Sequence, residues 1–315
     1  MDIQYDVLVV GELNIDLILN KIDKFPIIGK EVLADQMTLT LGSSSAIFAS
    51  NLRTLGTTVT YIGKLGKDDF GDHIIKALAT KKVDTSNIIF STKFNTGVTV
   101  VLNFLEERAN VTYPGAMNAL TIDDISDKIL QSAKHLHVSS IFLQPGLKPD
   151  IINLFKRAKE FGLTTSLDPQ WDPAEKWDIN LNELLQYVDL FFPNIDELKA
   201  LLKFSDFDDC IKEIQRFKNI IIIKDSNKGA YLWNGNELIH QSAFLNNNVV
   251  DSIGAGDSFD AGFINKYMQN GSEEECLEFA ALVGAINTTR SGGTGAFENA
   301  ELFKKIAQSN FNYFI

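Results

Sequence analysis

The stretch from Asn248 to Phe263 reads NVVDSIGAGDSFDAGF, and it is the most informative part of the chain for both fold and function. Three small residues, Gly254, Ala255 and Gly256, leave backbone amides unshielded in a tight turn. Apolar residues follow at near-helical spacing, namely Phe259, Phe263, Tyr267 and Met268. A helix that begins directly after such a turn binds anions, because its first amides are unpaired and its dipole favours negative charge.

An acidic residue, Asp257, lies at the entrance of this predicted anion site. A carboxylate would repel a bound anion, so its position is better explained by a base beside a group that is about to become negative. The combination predicts phosphoryl transfer to a hydroxyl group, in which amides stabilise the moving charge and the carboxylate takes the proton. The alternative from these residues alone is that the glycines shape a turn and Asp257 caps a helix.

Composition and charge narrow the class of protein. The 315 residues are 45% hydrophobic and 22% charged, as in ordinary globular proteins. A net charge of −12 disfavours a nucleic-acid-binding surface. Neither a leader-like N-terminus nor an apolar stretch of membrane-spanning length is recognisable, so we expect a cytoplasmic protein that binds a small molecule and no membrane. Cys210 and Cys276 are expected in the core.

Continuous apolar runs alternate with helical patterns along the chain. Residues 6–11 and 219–224 are typical of buried parallel strands. Asn14 and Asp16 follow the first run, at the strand end where open α/β sheets bind ligands. This alternation predicts a three-layer α/β core with a mainly parallel sheet.

The run from Asp251 to Gly262 closely resembles the signature D-T-x-G-A-G-D-x-F-x-A-G of the ribokinase-like (PfkB) carbohydrate kinases. The resemblance implies that Asp257 is the catalytic base and that residues 254–257 form the anion hole, with Gly256 also facing the nucleotide. It further implies that Asp251 and the carbonyl of Ile253 hold a monovalent cation such as K⁺.

The same resemblance implies one ribokinase-like domain over residues 1–315. Insertions at about 15–41 and 96–113 would form a small β-sheet lid over the sugar, with a turn at residues 106–108. A lid serves this chemistry because water competes with the sugar hydroxyl for the phosphoryl group. Lids of this family often dimerise, so we expect a homodimer through the lid.

Residues 41–56, LGSSSAIFASNLRTLG, resemble the N-terminal signature of the family, G-G-x-x-x-N-x-A-x-x-x-x-x-L-G. Gly42 matches and is expected beside the sugar. Ser43 replaces the second glycine, and Ile47 replaces the asparagine that commonly touches the sugar. The hydroxyl groups of residues 43–45 could supply substrate contacts or could cap the helix, and the sequence leaves both open.

The resemblance assigns sugar hydroxyls to Asp16, with Asn14 beside it. Asp168 begins a segment in which many relatives have D-x-N-x-R near the sugar and the phosphates, and it is expected to bind substrate. Here Gln170 and Asp172 stand in place of the Asn and the Arg. A lost cation and a gained anion disfavour a substrate that already carries a phosphate or carboxylate.

The remaining motifs concern ATP and Mg²⁺. Asn194 and Glu197 resemble the N-x-x-E motif, which implies that Glu197 binds Mg²⁺ through water. The alternative is an acidic helix N-terminus. Lys224 and Gly229 match a family motif that contacts the nucleotide, and Gly292 lies in a glycine-rich loop expected near the adenine.

The sequence therefore predicts an ATP-dependent sugar kinase that transfers the γ-phosphate to a hydroxyl group, expected to be a primary one, with Asp257 as base. One alternative is a nucleoside kinase of the same family, since Ile47 and Phe104 would suit a base. The other is a non-catalytic member that binds a ligand.

Overall fold

The computed structural model describes residues 3–104 and 107–315. Its strands are β1 (Tyr5–Val10), β2 (Asn14–Ile22), β3 (Ala34–Leu41), β4 (Val59–Ile62), β5 (Lys64–Gly66), β6 (Ile89–Ser91), β7 (Gly97–Phe104), β8 (Glu107–Tyr113), β9 (Ala133–Ser139), β10 (Thr164–Asp168), β11 (Leu190–Phe191), β12 (Ile220–Lys224), β13 (Ala230–Trp233) and β14 (Leu238–Gln241). Its helices are α1 (Ser44–Thr54), α2 (Asp69–Thr80), α3 (Asp127–Leu130), α4 (Ile151–Glu160), α5 (Leu181–Leu184), α6 (Ile195–Leu202), α7 (Phe207–Ile214), α8 (Ala255–Met268), α9 (Glu273–Asn287) and α10 (Ala300–Phe311).

Eight strands form the main sheet in the order β14-β13-β12-β11-β10-β9-β1-β4. The strands from β12 to β4 run parallel, and β13 and β14 add an antiparallel edge. The chain passes from β1 to β4 on one side and later to β9 on the other. The strand order therefore reverses beside β1, and ligands of open α/β sheets bind beyond the carboxyl ends of strands at such a point.

Helices cover both faces of this sheet because successive side chains of each strand point to opposite faces. Leu8 and Val10 pack on one side with residues of α4 and α6, such as Leu154 and Leu198. Val7 and Val9 pack on the other side, where α1, α8 and α9 contribute apolar residues. Both cysteines are buried with free thiols, as expected. The predicted three-layer α/β architecture is confirmed.

A separate four-stranded sheet has the order β3-β2-β7-β8. It is built from the segments around residues 15–41 and 96–113, and β2 pairs with β7 in parallel. The predicted turn at residues 106–108 differs from the structure, since Glu107 and Arg108 already belong to β8, and Glu106 lies outside the described residues.

Of the helices in the described part of the chain, none combines the length and the hydrophobicity that a membrane-spanning segment requires.

Candidate active site

A cavity of about 1300 Å³ lies at the carboxyl ends of the parallel strands. The turn before α8, the ends of β11 and β12 and the four-stranded sheet all contribute to its walls. The predicted site residues that line it are Asn14, Asp16, Ser43, Asn194, Glu197, Lys224, Gly229, Ile253, Gly254, Ala255, Gly256 and Asp257. The fold thus brings together residues from the two halves of the sequence around one space.

The glycine turn adopts the conformation that an anion site needs. Gly254 is the N-cap of α8 and has a φ of 74°, in the left-handed region that favours glycine. A Cβ at this position would lie 2.6 Å from the Cα of Gly293. Gly256 differs, because a Cβ there would meet only the Lys224 side chain, at 3.7 Å from its Nζ. The first amides of α8 have no carbonyl partner within their own helix, so they can bind an anion at the cavity.

A buried polar network supports this turn from below. The Asn51 amide donates to Ser258 Oγ at 2.9 Å and to the carbonyl of Gly293 at 2.8 Å. Ser258 Oγ donates to the Gly254 carbonyl at 2.6 Å and lies 3.0 Å from Asn287 Oδ1. Asn51, Ser258 and Asn287 are all fully buried. Hydrogen bonds inside a core are costly to lose, so these residues fix the shape of the turn.

The residues expected to bind a monovalent cation take part in the same construction. The Asp251 carboxylate accepts hydrogen bonds from the amides of Ile253 and Gly292, both at 2.9 Å. The carbonyl of Ile253 accepts a hydrogen bond from the Asn287 amide at 2.6 Å. Gly292 does not line the cavity, and its amide instead ties the glycine-rich loop to the turn.

Asp257 lies in the first turn of α8 and is 6% exposed. Its Oδ1 accepts a hydrogen bond from Gln170 Nε2 at 3.0 Å. Burial raises the pKa of the Asp257 carboxyl to about 7, the charge of Asp168 adds to this, and Lys224 opposes it. A carboxyl group with a pKa near neutrality is suited to accept a proton in one step and to release it in the next.

Lys224, in the cavity wall, forms an ion cluster with Asp168 and Asp260, which lie beneath it. Lys224 Nζ is 2.9 Å from Asp168 Oδ2 and 3.2 Å from Asp260 Oδ2. Burial by itself would lower the pKa of Lys224, but the two carboxylates outweigh it and raise the pKa above its ordinary value. Asp168 is fully buried and is not part of the cavity wall, in contrast to the expected contact with substrate. Its carboxylate accepts hydrogen bonds from Lys224 and from Gln170, so Asp168 holds these two cavity-lining side chains in position.

Asn194 and Glu197 form a capping box at the start of α6. Asn194 Oδ1 accepts from the Glu197 amide, and Glu197 Oε2 accepts from the Asn194 amide, both at 2.9 Å. Burial, together with the charge of Asp168, raises the pKa of Glu197 to about 7, and Lys224 opposes this shift. Both residues also line the cavity, so capping and a cavity-facing carboxylate are combined in one motif.

Gly229 has a φ of 110°, and a Cβ there would lie 1.9 Å from the carbonyl of Gln241. A larger residue would therefore disrupt the connection between β12 and β13 at the cavity wall. Gly42 has a comparable role at the opposite end, because its missing side chain makes room for Asn14 and Asp16.

The four-stranded sheet brings hydrogen-bonding side chains to the other end of the cavity. Asn14 Nδ2 donates to Asp16 Oδ1 at 3.0 Å and to Thr99 Oγ1 at 2.9 Å. Thr99 Oγ1 lies 3.1 Å from Thr112 Oγ1. All four side chains line the cavity, and their oxygens and amide can bind hydroxyl groups.

The serines at the start of α1 hold the structure locally, and two of them, Ser43 and Ser44, also line the cavity. Ser43 is the N-cap, since its Oγ accepts from the Ala46 amide and donates to the Glu12 carbonyl. Ser45 Oγ donates to the buried Glu12 carboxylate at 2.5 Å. Ile47 packs against the two glycine segments, because Cβ atoms placed on Gly254 and Gly293 would collide with it. Its side chain therefore fills a gap beside the anion site.

Several residues at the site were not predicted: Glu12, Asn51, Gln170, Asp260 and Asn287. Asn51 and Asn287 interrupt the apolar faces of two helices, and a polar residue at a core position is a usable signal. Gln170 stands at a departure from the family signature, and that departure was the only sequence signal for it.

The model of the pfkB family of carbohydrate kinases matches residues 4–300. An ATP-dependent ribose-1-phosphate kinase of Halopiger xanaduensis is 30% identical over 299 residues, which cover 92% of this chain and 94% of that protein.

Solved structures agree with this match. The structure of Arabidopsis thaliana ribokinase complexed with ribose and ATP superposes with a TM-score of 0.83 at 25% identity, over 96% of this chain and 98% of that one. Adenosine kinase from Sinorhizobium meliloti has the same fold, with a TM-score of 0.83 at 23% identity over 96% of this chain and 99% of that one.

Proposed function

The chain belongs to the pfkB family of carbohydrate kinases, and we propose that it transfers the γ-phosphoryl group of ATP to a hydroxyl group of an uncharged sugar, with Asp257 as base. That it is an ATP-dependent kinase follows from the family. The observation that carries the finer proposal is the position of Asp257, a buried carboxylate beside the amides of the Gly254 turn and open to the cavity.

The proposed reaction forms a bond between the substrate oxygen and the γ-phosphorus and breaks the bond to the oxygen that bridges the β- and γ-phosphates. The hydroxyl proton passes to Asp257, and ADP leaves. The amides at the start of α8, including that of Gly256, stabilise the charge of the transferring group together with the helix dipole. Asn14 and Asp16 hold other hydroxyl groups of the substrate, so that a primary hydroxyl group meets Asp257.

Mg²⁺ is the proposed cofactor, and the donor set fits it. Glu197 presents a carboxylate to the cavity, and Mg²⁺ binds through one or two such groups while it keeps several waters. Burial and, after it, the charge of Asp168 raise the pKa of Glu197, and a divalent cation bound there would stabilise the charged form of this carboxyl group. When bound, Mg²⁺ would neutralise charge on the phosphates.

For K⁺, the proposed ligands remain Asp251 and the Ile253 carbonyl. Both already accept hydrogen bonds from within the protein. These bonds supply part of the stabilisation that a cation would give, so we expect at most a modest stimulation by K⁺.

An uncharged substrate is supported by the charges around the cavity. Among the described residues of its wall, Lys224 is the single Lys or Arg, and it is paired with Asp168 and Asp260. Asp172, at the position where many relatives have Arg, is buried, and its carboxylate accepts hydrogen bonds from three backbone amides. A phosphate or carboxylate already on the sugar would find no unpaired Lys or Arg among the described residues of this wall.

A nucleoside is the second candidate substrate, and one wall of the cavity favours it. Trp171 is 46% exposed, lines the cavity and packs edge to face on Trp177 at 5.0 Å between ring centroids. An exposed indole ring can stack on a flat base. Phe104, by contrast, pairs with Phe25 at 5.7 Å and is not part of the cavity wall, so it does not serve this purpose.

We further propose that the four-stranded sheet acts as a lid and that two copies of the chain pair through its outer face. Asn110 and Thr112 of β8 line the cavity, whereas Val111 on the opposite face is 64% exposed. Met37 of β3 is 67% exposed. Exposed apolar side chains on a sheet face are typical of interaction surfaces.

The experiment that tests the function measures ADP release from Mg-ATP over a panel of sugars, sugar phosphates, sugar acids and nucleosides, with and without K⁺. A neutral sugar is expected to give the strongest response. The Asp257→Asn variant should lose about 10²–10⁴-fold in turnover while it remains folded and binds ATP. Near-normal turnover of this variant would remove Asp257 as the base, and a strong response only to phosphorylated sugars would refute the substrate assignment.

A further inference from the structure

Gln170 connects two carboxylates at the centre of the site. Its Nε2 donates to Asp168 Oδ2 at 2.7 Å and to Asp257 Oδ1 at 3.0 Å. Asp168 is in turn held by Lys224 at 2.9 Å. A chain of contacts therefore runs from Lys224 through Asp168 and Gln170 to the proposed base.

The bridge between the two carboxylates is made by one uncharged nitrogen that carries two donors. The side-chain amide of glutamine has two N–H bonds on its nitrogen, and each can point at one carboxylate. A glutamate in its place would have no donor in its ionised form and would add a third negative charge. Hydrogen bonds donated to a carboxylate favour its ionised form, which is the form that accepts a proton.

The backbone of Gln170 is held in an uncommon conformation. Its φ is 56°, and Glu175 and Trp177 in the same loop have φ values of 52° and 51°. Residues other than glycine are rare in this region, and such strain persists only where surrounding contacts enforce it.

Two aspartates supply contacts of this kind. The Gln170 backbone amide donates to Asp168 Oδ1 at 3.2 Å. The buried Asp172 carboxylate holds the rest of the loop, because it accepts hydrogen bonds from the amides of Ala174, Lys176 and Trp177, at 2.9, 2.9 and 2.7 Å. The loop of residues 170–177 is thus tightly held, and the Gln170 amide is directed at Asp257.

We propose that Gln170 is a positioning residue that holds the Asp257 carboxylate in the orientation needed to accept the substrate proton. This inference rests on the proposed role of Asp257 as base. Gln170 also lines the cavity, so the competing explanation is that it binds the substrate directly. The two explanations differ in which kinetic constant depends on the side chain.

The test compares Gln170→Leu, which removes both donors at similar size, with the parent enzyme. We expect kcat to fall about 10–100-fold, while KM for ATP and for the sugar stays within about twofold. The acidic limb of the pH profile of kcat should move to higher pH, because the ionised carboxylate has lost a donor. The charged groups that bear on Asp257, namely Asp168, Lys224, Glu12 and Asp260, are unchanged in this variant.

Two further variants control for misfolding of Gln170→Leu and for general effects of changing this loop. Gln170→Gly removes the side chain and relieves the backbone strain, so it should fold even if the leucine variant does not, and it should show the same loss in kcat. Glu175→Gln changes an exposed residue of the same loop with a similar φ and should leave kcat unchanged. An unchanged kcat in both Gln170 variants, or a rise in KM alone, would overturn the proposal.

A double variant separates this inference from the proposed function. If Gln170 acts through Asp257, Gln170→Leu should cause no further loss in the Asp257→Asn background. Additive losses would indicate that Gln170 acts independently. If Asp257→Asn alone retains turnover, the proposed function fails, whereas a crippled Asp257→Asn with a normal Gln170→Leu refutes the positioning role only.

Discussion

The two ends of the cavity are built in different ways. The turn before α8 rests on Asn51, Ser258 and Asn287, which are fully buried and hydrogen-bonded within the protein. The opposite end consists of side chains on the four-stranded sheet, where Asn14 and Asp16 are buried but Thr112 is exposed. The first end is part of the core of the main sheet, and the second is part of a smaller sheet beside it.

This difference suggests that one end of the cavity carries out the reaction and that the other end selects the substrate. A buried hydrogen-bond network tolerates little change, because a donor or acceptor left unpaired costs about 1–3 kcal/mol. An exposed threonine or asparagine can hydrogen-bond to water instead, so changes there cost less. Substitutions at the α8 turn should therefore alter turnover and stability, and substitutions on the four-stranded sheet should alter mainly the affinity for the substrate.

The two glycines of the turn give the sharpest test of the first region. Gly254→Ala should unfold at a markedly lower temperature, with a loss of about 2–4 kcal/mol, since its Cβ would require a strained φ and would collide with Gly293. Gly256→Ala has room for its Cβ and should keep the parent melting temperature. Its turnover should still fall by about 10²-fold, because the added methyl group would displace the phosphoryl group from the amides.

Thermal melts and kcat for both variants check this pair. A Gly256→Ala variant with normal turnover would mean that the amides of the turn do not contact the transferring group. The α8 turn would then have no part in stabilising the phosphoryl group.

Protonation of Asp257 should produce the next largest effect, a dependence of the reaction rate on pH. Since burial raises the pKa of this carboxyl to about 7, the rate should rise about tenfold per pH unit up to neutrality and level off above it. The measurement is the pH profile of kcat for the preferred sugar. A profile that is flat between pH 5 and 8 would contradict the assignment of Asp257 as base.

The raised pKa of Asp257, which suits it to act as a base, is also expected to lower the stability of the folded protein at high pH. The folded state binds an extra proton between about pH 4 and 7, so the free energy of unfolding falls as pH rises through this window. Asp257→Asn removes this penalty and should be more stable than the parent at pH 8, by roughly 1–4 kcal/mol. The difference should shrink towards pH 4, and denaturant titrations at both pH values measure it.

A smaller kinetic effect is expected at the end of the cavity formed by the four-stranded sheet. Asp16→Asn should raise KM for the sugar about tenfold, and it should leave KM for ATP and the melting temperature nearly unchanged. Asn20→Ala is the matched control, since Asn20 is in the same strand, bonds to Asn103 at 2.7 Å and does not line the cavity. Equal effects of the two variants would show that the strand, rather than the Asp16 carboxylate, is responsible.

The smallest kinetic effect is expected from the outer face of the four-stranded sheet. Val111→Lys should convert a dimer to a monomer, measured by light scattering after size exclusion, with turnover changed only a few-fold. Leu238→Lys is the control, because Leu238 is an exposed apolar residue on the remote edge strand β14. A parent protein that is already monomeric would refute the proposed pairing.

The parts of this protein that follow from sequence are those encoded over short distances. The apolar runs of β1 and β12, the helix after Gly254 and the four segments of the smaller sheet were predicted because strand and helix periodicity is a local property. The order of the family motifs gave the fold and the broad activity, both of which are confirmed.

Only the tertiary structure decided which buried polar groups are partners. Asn51 contacts Ser258 across 207 residues of sequence, and Gln170 reaches Asp257 across 87. Asp168 lies beneath the cavity because Lys224 and Asp260 converge there from two other elements. A buried polar side chain must find a partner, but which partner depends on how the layers pack, and no local pattern records that.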